Sequence, residues 1–75
     1  MELKDFVAKF AEQFDDTDFN EIQASTVFRD IDEWSSLTAI GVIALSKSQY
    51  GRTITGSELK ACVTVEDVFN LIKSK

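Results

Sequence analysis

Residues 28–51 read FRDIDEWSSLTAIGVIALSKSQYG, and the stretch changes character at its middle. Up to Trp34, the apolar residues Phe28, Ile31 and Trp34 follow neither a helical nor an alternating period. From Ser36 onward, Leu37, Ala39, Ile40, Val42, Ile43, Ala44, Leu45 and Tyr50 fill a run with no breaker before Gly51. Ser35 or Ser36 is available as an N-cap, because a serine oxygen accepts a backbone N–H left over at a helix start. Gly51 suits a helix stop, since glycine enters the left-handed conformation without steric cost. The spacing predicts a helix over 36–50, entered from an irregular loop. Its apolar residues cover more than one stripe. Burying Val42, Ile43 and Tyr50 leaves the side bearing Leu37, Ile40, Gly41 and Ala44 facing outward, as a candidate partner surface.

Upstream, Leu3, Phe6, Val7, Phe10, Ala11 and Phe14 fall at i, i+3, i+4, i+7, i+8 and i+11, one apolar stripe of an amphipathic helix. Asp15, Asp16, Thr17 and Asp18 stop that pattern, because their short polar side chains compete for backbone hydrogen bonds. The connection up to Ser35 is long for a compact domain. Its apolar residues Phe19, Ile22, Val27, Phe28, Ile31 and Trp34 imply a loop pinned to the core, with a short helical turn around Asn20 to Ala24 and with Trp34 as an anchor or, alternatively, an aromatic contact for a partner. Downstream, Thr53 to Thr55 read as an extended linker, and Gly56, Ser57 and Glu58 open a short third helix through Leu59 to Ala61. Thr64 with Asp67 is close to a capping box, and Val65, Val68, Phe69 and Ile72 give a last helix over 65–73 an apolar face. The expected fold is all-α, a small three- to four-helix bundle in one domain over 1–75, with a long loop between the first two helices.

Composition narrows the chemistry. With 75 residues the chain builds one modest core, and a large internal active site is not expected. There is no histidine, which removes Ser-His and Cys-His dyads and imidazole metal ligands. Cys62 is the only cysteine and reads as a small apolar residue near the third helix. No basic stripe interrupts the net charge of −5, which disfavours nucleic acid. Residues 1–35 hold ten acids and three bases, whereas 36–75 hold three and five, so the acid lies upstream of Ser36 and favours partners that carry Lys or Arg. Neither a secretory signal nor a membrane-spanning run is visible, and a cytoplasmic monomer is expected.

The Phe28-x-x-Ile31 approach, the Trp34-Ser35-Ser36-Leu37 entry, the Tyr50-Gly51 exit and the Thr64-Val65-Glu66-Asp67-Val68 start of the last helix occur in an order and spacing that cover nearly the whole chain. In this it resembles the acyl carrier and peptidyl carrier proteins, the phosphopantetheine-binding carrier domains of fatty acid, polyketide and nonribosomal peptide biosynthesis. In that family Asp-Ser-Leu opens the second helix. Aligning on Leu37 selects Ser36 as the residue that would carry 4'-phosphopantetheine, donated covalently by coenzyme A. The resemblance implies a carrier and not an enzyme, holding acyl or aminoacyl groups as thioesters on a mobile arm. Its partners would be a phosphopantetheinyl transferase and the enzymes that load and transfer acyl or aminoacyl groups.

Two departures carry information. Ser35 stands where the family usually has aspartate, and residues 37–50 contain no acid and one base, Lys47. Recognition is therefore expected to rest on Leu37, Ile40, Gly41 and Ala44, with Asp32 and Glu33 at the rim. That points to a specialised secondary-metabolite, lipid or cell-envelope pathway. Asp30, Asp32 and Glu33 read as a solvated acidic lip, and Arg29 is the only base near Ser36 in sequence. The alternative is an unmodified helical interaction module, in which Ser35 and Ser36 are only helix caps.

Overall fold

The structure, a computed structural model, describes residues 2–75. Four α-helices follow one another: α1 Leu3–Ala11, α2 Ser36–Tyr50, α3 Gly56–Ala61 and α4 Val65–Lys73. Two 3₁₀ turns, Phe19–Glu21 and Phe28–Asp30, interrupt the long connection between α1 and α2. This is the expected small all-α fold with a long first loop.

The apolar stripe of α1 places Phe6 and Phe10 in the core, where both are fully buried. The helix stops at Ala11, earlier than the stripe runs, and tightens into i to i+3 bonds from Gln13 N–H to Phe10 O and from Phe14 N–H to Ala11 O. Those bonds still carry Phe14 inward, so it is buried beyond the helix end. Helix α1 packs on α4 and α2, and α2 packs on α3. Phe6, Phe10, Phe28, Val42, Ile54, Val65, Val68 and Ile72 form the fully or almost fully buried centre, and burying each phenylalanine there contributes roughly 1.5–3 kcal/mol.

The face that α2 buries differs in part from the expectation. Thr38, Val42, Leu45 and Ser46 are buried, whereas Ala39, Ile43 and Tyr50 are half-buried. Two hydroxyls are tolerated inside because each has a partner: Thr38 Oγ1 donates to Glu33 O at 3.1 Å and Ser46 Oγ to Arg52 O at 2.5 Å. Gly51 ends the helix at φ 66°, with its N–H on Lys47 O. Helix α3 begins at Gly56, as expected, with Thr55 as the cap that forms a capping box with Glu58. The linker before it is extended through Thr55, as expected, and it buries Ile54.

The long loop is pinned at both ends. Val27 pairs with Thr64 in an isolated bridge, and the N–H groups of Val65 and Glu66 donate to Thr26 O and Ala24 O. At its far end Trp34 meets Phe28 edge-on at 4.6 Å between ring centroids and stacks on Phe10 at 6.3 Å. Trp34 is thus the anchor that delivers the chain to the start of α2.

Candidate functional site

Ser35 and Ser36 sit side by side on the surface but do different work. Ser35 is the N-cap, extended at φ −151°, with its Oγ accepting the Thr38 N–H at a long 3.5 Å and lying 3.3 Å from Thr38 Oγ1. Ser36 is the first helical residue, and none of the side-chain hydrogen bonds among the described residues uses its hydroxyl. The N–H groups of Ser36 and Leu37 also have no acceptor among the described residues, since the intrahelical ladder starts with Ala39 N–H to Ser35 O at 3.0 Å. Of the four α-helices, α2 alone has no acid in its first turn. The partial positive charge of this helix start is therefore not offset by a carboxylate of its own helix.

Beside Ser36 runs an open groove of about 450 Å³, bordered by Trp34, Ala39, Ile40 and Ile43 on one side and by Gly56, Leu59 and Lys60 of α3 on the other. Arg29 closes one end. Its guanidinium donates to Leu59 O at 3.2 Å and to Lys60 O, so the last carbonyls of α3 hold it in place. No carboxylate pairs with it, because the one ion pair among the described residues joins Lys75 to Glu58. Sequence placed a single base near Ser36; the fold adds Lys60 from α3 to the same groove. The groove wall on α3 was not legible from the sequence, since only the packing of α3 on α2 creates it.

The acidic residues upstream divide. Asp30 and Asp32 are exposed, as a solvated lip requires. Glu33 is instead half-buried and turned back onto residues 15–17, in the turn that follows α1. Its carboxylate accepts the N–H groups of Asp16 at 3.0 Å and Thr17 at 2.9 Å, that of Asp15, and the Thr17 hydroxyl at 2.8 Å. Lost solvent raises its pKa, but these donors outweigh that and hold it below its ordinary value. No group of three or more His, Cys, Asp or Glu side chains among the described residues is arranged to hold a metal ion.

On the outward strip of α2, Leu37 is 79% and Ile40 62% exposed, and Ala44 is exposed as well. Gly41 lies at the edge of that strip and is half-buried, not outward. A Cβ there would sit 2.7 Å from Gln13 Oε1, so the glycine lets the Gln13 side chain lie against α2. Cys62 is buried with Sγ 3.6 Å from Glu58 O, and burial pushes its thiol pKa up, which disfavours the reactive thiolate. Among the described residues no side-chain base is in hydrogen-bond contact with the Ser36 hydroxyl. No helix of the described residues is long and apolar enough to cross a membrane. Compared with family models, curated proteins and solved structures, the chain has no match.

Proposed function

We propose that the protein is a carrier whose Ser36 takes the phosphopantetheine group of coenzyme A as a phosphodiester and presents acyl or aminoacyl groups to partner enzymes. The observation that carries this reading is the open start of α2: an exposed hydroxyl with no hydrogen bond, unpartnered N–H groups, and no acid in the first turn. A phosphodiester at that point gains donors and a favourable dipole. Ser35 already supplies the cap, so a second serine is not needed for helix stability alone. Arg29 and Lys60 add positive charge along the neighbouring groove.

When bound, the arm supplies a terminal thiol that holds the cargo as a thioester. The chain itself contributes position: the Trp34 anchor fixes the entry to α2, and the apolar walls of the groove give cargo or pantetheine a surface to lie on. The exposed Leu37, Ile40 and Ala44 suit enzymes that read apolar contacts, and a specialised pathway follows from the absence of acids on this helix. The same strip also favours the second reading, an unmodified module that docks one protein through α2.

Incubation with coenzyme A and broad-specificity phosphopantetheinyl transferases, followed by intact mass, tests the choice. One phosphopantetheine adduct per chain is expected. A chain left unmodified by several transferases, yet still folded by circular dichroism, is an interaction module.

A further inference from the structure

A second apolar groove, of about 430 Å³, lies between α1 and the first 3₁₀ turn and shares no lining residue with the groove beside Ser36. Its walls are Leu3, Val7 and Ala8 of α1 facing Phe19, Ile22 and Ala24 of the loop. Phe19 is 56% exposed, the largest apolar side chain left in solvent on this face. It is not a loose end. The Asp18 carboxylate accepts the Asn20 N–H at 2.9 Å, and Ile22, three residues on, is 3% exposed and ties the turn into the core. A phenylalanine presented on a fixed turn loses little conformational freedom on binding, which is the property of an interface anchor.

Charge identifies the occupant. Residues 2–24 contain seven acids and two bases, whereas 25–75 contain six of each, so this segment carries the whole net charge of the chain. Asp18 and Glu21 stand on either side of the Phe19 turn, and Lys4 is the single base in the lining. A second copy docking through the same face, nucleic acid and an anionic membrane would all meet like charge here. We propose that this groove docks a basic, amphipathic segment of a partner protein, which seats apolar side chains between Val7 and Phe19 and sets Lys or Arg against Asp18 and Glu21. The inference stands apart from the carrier reading, since it uses no property of Ser36.

The test is a titration of the full ¹⁵N-labelled chain with a synthetic helical peptide that has Leu on one face and Lys on the other, read by amide shifts. Changes confined to residues 3–8 and 18–24 are expected. Phe19→Ser should weaken binding about tenfold or more, as removal of an anchor does. Asp18→Asn with Glu21→Gln should flatten the salt dependence, because Asn keeps the turn cap while the charge is lost. Ser36→Ala should bind as the parent does, which separates this result from any failure of the carrier reading. The proposal is overturned if shifts centre on the Ser36 groove, or if Phe19→Ser binds unchanged while melting as the parent does. It is also overturned if a Leu/Glu peptide binds equally, if anionic vesicles bind at this face, or if sedimentation shows self-association that Phe19→Ser abolishes.

Discussion

The starts of α2 and α4 are built from the same parts and put to opposite use. At α4 every early N–H has a protein acceptor: Thr64 on Asp67, Val65 on Thr26, Glu66 on Ala24, and Asp67 on the Thr64 hydroxyl. Two acids, Glu66 and Asp67, also stand in that first turn. At α2 the cap bond is long, two N–H groups have no acceptor among the described residues and the first turn holds no acid. One end is closed by the chain itself; the other keeps donors that the described residues do not use. The contrast shows that helix-start chemistry becomes available for binding only where the protein does not use it up.

The largest expected effect comes from removing what holds the open end in place. Phe28→Ala should cost about 3–5 kcal/mol in denaturant unfolding, because Phe28 is fully buried against Trp34 and Phe10. A cost below about 1 kcal/mol would mean that the loop positions α2 by other contacts. Next, Thr64→Ala should cost about 1–2 kcal/mol and Ser35→Ala no more than about 0.5 kcal/mol, since only the first breaks a complete capping box. Equal costs at the two caps would erase the distinction between the helix ends.

Acid sharpens the same comparison. Glu33, Glu58 and Asp67 all sit below their ordinary pKa values: donors from Thr17 and residues 15–17 outweigh desolvation at Glu33, Lys75 leads at Glu58, and the Thr64 and Val63 N–H groups lead at Asp67. A depressed carboxyl contributes stability that is present above its unfolded pKa and is lost as pH falls through its folded one. The melting temperature should therefore fall on acidification through the carboxylate range, and Glu33→Gln or Asp67→Asn should flatten the fall. A melting temperature that is constant across that range would contradict the clamp assigned to Glu33. The smallest effect is a gain. Leu37→Glu places an acid in the first turn of α2 and should stabilise by about 0.3–1 kcal/mol while slowing modification at Ser36, with Leu37→Gln as the uncharged control.

Much of the architecture was legible because it rests on local patterns. The stripe from Leu3 to Phe14, the bounds of α2 between Ser35 and Gly51, and the Thr64–Asp67 box each lie within a few turns of chain. What escaped depends on residues distant in sequence. Glu33 reaches back 16 to 18 residues to its donors, and Arg29 crosses 30 and 31 residues to the α3 carbonyls. No spacing rule signals such side chain to backbone contacts. The buried hydroxyls of Thr38 and Ser46 escaped for a related reason, since α2 is apolar on several faces and its core side is chosen by what packs on it. Around the start of α2, the helix entry at Ser36 and the outward positions of Leu37, Ile40 and Ala44 were readable, whereas the different hydrogen bonding of Ser35 and Ser36 was not.

The central claim is that Ser36, and not its capping neighbour, is the modified residue. Intact and tandem mass spectrometry after transferase treatment of the parent, Ser35→Ala and Ser36→Ala tests it most directly. The account predicts an adduct on the parent and on Ser35→Ala, located at Ser36, and none on Ser36→Ala. An undiminished adduct on Ser36→Ala would contradict it.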